Sequence, residues 1–298
     1  MLIAIFVREI MTPLKSATYP IPDEVRTSIG LSTGPHVLKI LAKYPKLNLR
    51  LTEQKFYIYN KNYKQGLIIF CGKDKKNVTY FKKSSTFKSL TDNLKQVCIL
   101  VNLPKHAHIP ELSSAYIEDL CLAEGIISIN IIGISYGGYC ALELIADIKK
   151  NSVPIKVKKL VHIVAPVCLK DLRPHIRTLI IIPRLIGRLL RWKTQKFSMR
   201  NFDHKFELAR SIGREEIHSN ISVLSVRTGG FDPFIKKKHL STKLNLLFNK
   251  IEVLELRGEP FFRTYSKSLL KKFNFQGAHG IYHEDLGTLR DRLLLFLN

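Results

Sequence analysis

The sequence predicts an α/β protein: a mostly parallel central sheet flanked by helices, with a helical cap inserted late in the strand order. Three observations predict it. The short apolar runs GLIIFC at Gly66–Cys71, VCILVN at Val97–Asn102 and the isoleucine-rich Ile127–Ile132 have the length and composition of strands buried on both faces. Stretches of helical length and amphipathic pattern follow several of them, the alternation expected of βαβ units. The 298 residues, 45% hydrophobic and 24% charged with mean hydropathy near zero, are enough to bury one large core.

The elements follow in order. The first fifty residues carry little periodicity. Lys55–Asn60 alternates as a strand does, and Gly66–Cys71 beside it reads as a buried strand ending at Gly72. Val97–Asn102 stops before Pro104 and leads to a helix over Glu111–Ala123, which gathers Leu112, Ala115, Tyr116, Ile117 and Leu120 on one side. A strand at Ile127–Ile132, a helix at Tyr136–Lys149 and a strand at Lys159–Val164 complete this half. Cys168–Asn220 breaks the rhythm with helix-compatible apolar residues, several arginines and the single tryptophan, so it reads as an insertion over the sheet. The alternation resumes with a strand at Ile221–Val226, a lysine-rich helix near Lys236–Phe248, a strand at Ile251–Leu256 and a final helix at Leu286–Leu297. The domain division is therefore an N-terminal segment 1–54 without an assigned role, a core of 55–167 and 221–298, and a cap of 168–220.

Charge bears on partners and says nothing of the fold. Lys and Arg number 48 against 24 Asp and Glu, a net +24 with a pI near 9.9. Such a balance points to anionic partners, or else to compositional drift in a chain rich in Lys, Ile and Asn. Nucleic acid fits poorly, because no helix-turn-helix, zinc finger or basic sheet with stacking aromatics accompanies the charge. The five cysteines, Cys71, Cys98, Cys121, Cys140 and Cys168, are an odd number with no CxxC pair, and read as reduced thiols of a reducing compartment. No His, Asp or Glu cluster has metal-ligand spacing, so neither a metal nor another cofactor is expected. Met1–Val7 is apolar but is followed at once by Arg8 and Glu9, the reverse of a secretory signal, and no apolar run approaches the roughly 18 residues of a spanning helix. A cytoplasmic protein is expected, with peripheral attachment to a membrane left open.

The sharpest chemical motif is Gly133-Ile134-Ser135-Tyr136-Gly137, followed by Gly138, between a predicted strand and a predicted helix. A strand-to-helix turn this tight demands small flanking residues and presents the serine hydroxyl at the C-terminal end of the sheet, beside the helix N-terminus. A serine hydroxyl needs a base within hydrogen-bond reach and a third group to orient that base. Asp232 lies in TGGFDP after the strand Ile221–Val226, and His279 lies in GAHG ahead of the last helix. Each alone reads as an ordinary loop residue. The order Ser, Asp, His, each in a connection beyond a strand, is what gives them weight together. His283 is the rival base, and His106 and His108 after an earlier strand read as solvated or pocket-lining.

In the motifs GISYGG, TGGFD and GAHGIYHED the chain resembles the α/β-hydrolase family, from about Lys55 to its end. The resemblance implies Ser135 as nucleophile, Asp232 as acid and His279 as base. It also implies an oxyanion hole of two backbone N–H groups, those of Tyr136 and of Lys73 after Cys71-Gly72. Many members carry His-Gly where this chain has Cys71-Gly72, and here Gly258–Gln276 intervenes between the last strand and His279.

The cap contains an acid-free run, Leu172–Phe202. If Ile176–Trp192 is helical, Arg177, Arg184, Arg188 and Arg191 share a face at spacings of seven, four and three. Pro183 interrupts that helix. Leu179, Ile182, Leu185 and Trp192 are the candidate substrate-covering residues. One reading is a lid with its arginines in water and its aliphatics over the site. The other is a basic, greasy lid that docks an anionic membrane surface or an acidic acyl-carrier protein. The function expected is a serine hydrolase cleaving a carboxylic ester or thioester with a hydrophobic acyl group, from a small-molecule or carrier-bound substrate. The alternative is a non-catalytic relative that binds lipid or an acidic partner through the cap.

Overall fold

A computed structural model of the chain describes residues 26–30, 35–43, 54–60, 62–72, 75–102, 110–150, 152–167, 171–174, 178, 220–228, 235–236, 244–256 and 287–298. Eight strands form one sheet: β1 (Arg26–Gly30), β2 (Gln54–Tyr59), β3 (Gln65–Phe70), β4 (Val97–Asn102), β5 (Ser128–Ile134), β6 (Lys156–Ile163), β7 (Ser222–Thr228) and β8 (Lys250–Leu256). Their spatial order is β1-β2-β4-β3-β5-β6-β7-β8. Only β2 runs against its neighbours, β1 and β4; every pairing from β4 to β8 is parallel. The described helices are α1 (Pro35–Lys43), α2 (Lys75–Lys82), α3 (Ser85–Asn93), α4 (Pro110–Ala123), α5 (Tyr136–Lys150) and α6 (Gly287–Leu297).

The apolar runs are continuous rather than alternating because both faces of these strands are covered. Every residue of β4 and β5 is buried, as are all but the first of β3. On one face Ile68, Phe70, Ile99, Ile131, Leu160 and Val223 pack against α4 and α5 through residues such as Tyr116, Ile117, Leu144 and Ile145. On the other, Leu67, Ile69, Leu100, Ile132 and Val161 meet Phe81 and Phe87 from α2 and α3, and Leu289, Leu293 and Leu297 from α6. Each fully buried aliphatic of this kind is worth about 1.5–3 kcal/mol relative to exposure.

Two polar devices close the layers. Ser84 caps α3, its hydroxyl accepting from the Phe87 N–H at 3.1 Å. Asn130, fully buried in β5, and Gln96 both donate side-chain N–H to the Leu297 carbonyl at 3.3 Å, satisfying an acceptor that the end of α6 leaves open. The segment before residue 55 also joins the sheet, since β1 pairs with β2. Helix α1 is held to α4 where the His36 N–H donates to Asp119 Oδ1 at 3.2 Å, with His36 Nδ1 2.8 Å from the same oxygen.

The predicted strands recur within a few residues: Ile127–Ile132 as β5, Lys159–Val164 as β6, Ile221–Val226 as β7 and Ile251–Leu256 as β8. Of the predicted helix Lys236–Phe248, the residues described as helical are 244–247. Nearly all of the cap, with Leu179, Ile182, Leu185 and Trp192, lies outside the described residues. Cys71, Cys98, Cys121 and Cys140 are buried thiols outside any disulfide; burial pushes the Cys121 thiol up to about 12, with Glu118 adding to the shift. No helix among the described residues is long and apolar enough to cross a membrane.

Candidate active site

The site is built where β5 turns into α5. Ile131, Ile132 and Ile134 bury β5 in both cores, and Gly133 sits among them because nothing larger fits: a Cβ there would lie 2.5 Å from the Gly138 Cα and 2.8 Å from the Gly137 carbonyl oxygen. A Cβ on Gly137 would run into the Phe70 carbonyl at the end of β3. One on Gly138 would collide with Ala165 and approach His162 Nε2 to 2.9 Å. The three glycines thus let the helix start press against three strand ends at once.

Ser135 stands at the apex with φ +53°, in the left-handed region. For a residue with a Cβ this costs about 1–2 kcal/mol and persists only where the surroundings impose it. They do: the Ser135 N–H donates to the Ile163 carbonyl at 2.9 Å, and the Ser135 carbonyl accepts from the Gly138 N–H at 3.0 Å. The strain continues next door at Val164, a β-branched residue at φ +38° whose N–H donates to the Val226 carbonyl at 2.9 Å. Ser135 is half-buried at the C-terminal edge of the parallel strands, where ligands bind in open α/β sheets.

Tyr136 is the first residue of α5, so its N–H belongs to the helix turn whose amides face the helix end and favour an anion. Its ring lies 5.8 Å from that of Tyr139. Beyond Phe70 the chain continues through buried Cys71 and Gly72, starting from the carbonyl that abuts Gly137. Lys73, the next residue, lies outside the described residues, as do Asp232, His279 and the alternatives His283, His106 and His108. Of the predicted site residues the structure therefore describes Ser135 and Tyr136. β7 and β8, the strands whose connections carry Asp232 and His279, are both parallel to β5 and end on its edge of the sheet.

Beneath the elbow lies a buried polar group that the sequence pattern does not reveal. His162, in β6, is 1% exposed and Asp171 is fully buried. Burial pushes the His162 imidazole down to about 4, opposed by the Asp171 carboxylate and reinforced by Arg227, so His162 is neutral at pH 7. Arg227 Nε donates to Ser225 Oγ at 3.4 Å. The only hint in the sequence is His162 itself, one polar residue inside the apolar run LVHIVA. Among the described residues no group of three His, Cys, Asp or Glu side chains forms a metal site.

Neither a protein-family model nor a curated protein matches the sequence. Solved structures do match in shape. Carboxylesterase CesB (YbfK) from Bacillus subtilis aligns with TM-score 0.54 over 93% of each chain at 10% identity. The naproxen esterase (carboxylesterase NP) from Bacillus subtilis gives 0.55 over 93% of each chain, also at 10%. Serine hydrolase CCSP0084 from Cycloclasticus zankles gives 0.52 at 13% identity, over 92% of this chain and 98% of that one. At such identities the likeness is one of fold, and the fold is that of the α/β-hydrolases.

Proposed function

We propose that the protein is a serine hydrolase that cleaves a carboxylic ester or thioester with a hydrophobic acyl group. The observation that carries this reading is Ser135 itself: a serine held in left-handed backbone at a strand-to-helix turn, between glycines that no other residue can replace. A helix that merely begins with serine has no need of this strain. A non-catalytic binding module leaves it without a use.

In the proposed reaction Ser135 Oγ attacks the acyl carbonyl while His279 takes its proton. The tetrahedral oxyanion is held by the N–H groups of Tyr136 and Lys73. Such donors are typically worth about 3 kcal/mol each, because they are aimed at charge that develops only in the transition state. His279 returns the proton to the departing alcohol or thiol, then activates water to release the acid from Ser135. Asp232 keeps the imidazole in the productive tautomer and stabilises the imidazolium. Leu179, Ile182, Leu185 and Trp192 of the cap cover the acyl chain, and the cap's arginines receive an acidic carrier or anionic surface that presents it.

A fluorophosphonate probe tests the nucleophile: wild type labels and Ser135→Ala does not. Equal labelling of both, or labelling of neither, refutes the assignment. Turnover of short- and medium-chain p-nitrophenyl esters, lowered by orders of magnitude in both Asp232→Asn and His279→Ala but still measurable above the uncatalysed rate, tests the remaining two residues.

A further inference from the structure

Asp171 lies just beyond β6, at the root of the cap, and has no solvent exposure. A buried carboxylate is costly unless it is given hydrogen-bond donors, and one of its two oxygens has one. Its Oδ2 accepts from the Val167 N–H at 2.9 Å, four residues back along the chain. Its main-chain carbonyl accepts from the Lys236 N–H at 2.7 Å, and the next residue, Leu172, forms an antiparallel bridge with Ile235. The same carboxylate faces His162, whose Nε2 abuts Gly138 at the start of α5.

These contacts join three connections that leave the same edge of the sheet. Ala165 and His162 press on the elbow through Gly138. Val167 to Asp171 forms the root of the cap. Ile235 and Lys236 end the span that begins at Thr228 and carries Asp232. Thr228 is itself fixed in the ladder opposite Leu256. Both ends of the Asp232 loop are therefore anchored, the near end by the sheet and the far end by the Asp171 segment.

We infer that Asp171 is a positioning residue for the reaction: it clamps the cap root and the far end of the Asp232 loop beside the elbow, and so sets the acid relative to Ser135. The inference rests on the Ser135–His279–Asp232 reading. It adds a second, non-contacting carboxylate to the machinery and makes the cap root and the acid loop one mechanical unit.

The test is a double-mutant cycle between Asp171→Ala and Asp232→Asn in the full chain, read as kcat and KM for a p-nitrophenyl ester and as the rate of fluorophosphonate labelling. Misplacing a catalytic group by about 1 Å costs on the order of 100-fold, so Asp171→Ala is expected to lower kcat by about that factor with KM changed by less than about threefold. On the Asp232→Asn background the same change is expected to cost less than about threefold, because a group that acts through Asp232 has nothing left to act through. Asp171→Asn keeps an oxygen for the Val167 N–H and is expected to recover at least about tenfold of the loss. Wild-type turnover in Asp171→Ala overturns the inference, and so does a full loss repeated on the Asp232→Asn background, as a merely structural role would give. Should Asp171→Ala fail to fold, the cycle is run with Asp171→Asn, whose smaller loss must likewise vanish beside Asp232→Asn; an equal loss in both backgrounds overturns the inference. Wild-type turnover in Asp232→Asn refutes the acid assignment itself, and this inference falls with it.

Discussion

Gly137→Ala is the smallest change that tests whether the elbow is held as the contacts imply. The added Cβ would lie 2.7 Å from the Phe70 carbonyl carbon and 2.8 Å from its Cβ, and closer still to its oxygen. Ordinary contact begins near 3.4 Å, so the first of these is about 0.7 Å short, and the oxygen demands more. β3 cannot supply that movement, because Phe70 is paired with Val101 on one side and Gly133 on the other. The start of α5 must move instead, and Ser135 moves with it. Overpacking of this kind costs typically 1–3 kcal/mol, which for a domain of this size is a fall in Tm of about 2–12 °C. A shift of the nucleophile approaching 1 Å lowers kcat/KM by about 100-fold. Calorimetry or dye-monitored melting gives the first number, and p-nitrophenyl ester kinetics on the folded variant gives the second. A variant that melts with wild type and turns over at the wild-type rate refutes the close approach of Gly137 to Phe70, and with it the geometry on which the serine assignment rests.

Further outcomes follow from the same contacts. Gly287→Ala, with nothing nearer to its Cβ than Arg290 Nη2 at 3.7 Å, is expected to stabilise the protein by about 0.4–1 kcal/mol in urea unfolding, in contrast to Gly137→Ala. Ser135→Gly is expected to melt above Ser135→Ala, by about 0.5–1 kcal/mol after the flexibility of glycine in the unfolded chain is offset against the left-handed strain; equal melting places no strain at the apex. Asn130→Leu removes one donor to the Leu297 carbonyl and is expected to lower stability by about 1–3 kcal/mol, read as an earlier urea midpoint with unchanged slope. His162 is pushed down from 6.5 to about 4, so the unfolded chain binds the proton first as pH falls. Its contribution is therefore fully present above about pH 6.5 and is lost as pH falls towards 4; the urea midpoint of His162→Leu should slope less than that of wild type across that window.

The parallel half of the sheet was legible because burial on both faces writes itself as continuous apolar runs, and Gly66–Cys71, Val97–Asn102 and Ile127–Ile132 have no other use. β1 was not, since RTSIG has neither alternation nor apolar content and becomes a strand only through its pairing with β2. α2 and α3 were equally silent: KKNVTYFK and STFKSLTDN are mostly polar and hold their place through Val78, Phe81, Phe87 and Leu90. At the site, G-x-S-x-G announced the elbow because the constraint there is local, a turn so tight that its glycines must recur at fixed spacing. Asp171 was illegible for the opposite reason. Its partners are His162 within β6, Val167 just past that strand and Lys236 beyond β7, and nothing in the residue types beside Asp171 distinguishes it from a surface acid.

The strain at Ser135 and at Val164 belongs to one device. Ile163 supplies the carbonyl that holds the Ser135 N–H, and the next residue is Val164, itself in left-handed backbone and tied to Val226 in β7. An apex held only by its own helix would relax by fraying the first turn of α5. Here relaxation of Ser135 would have to break a hydrogen bond to β6, and relaxation of Val164 one to β7, each within a ladder buried on both faces. The stability of the sheet is thereby spent on keeping one hydroxyl in a conformation it would otherwise leave. That explains why the neighbourhood of the elbow carries so many glycines and buried polar groups when Leu67–Phe70 of β3 and Val97–Val101 of β4 are apolar throughout: the elbow is built for position, and those strands for cohesion.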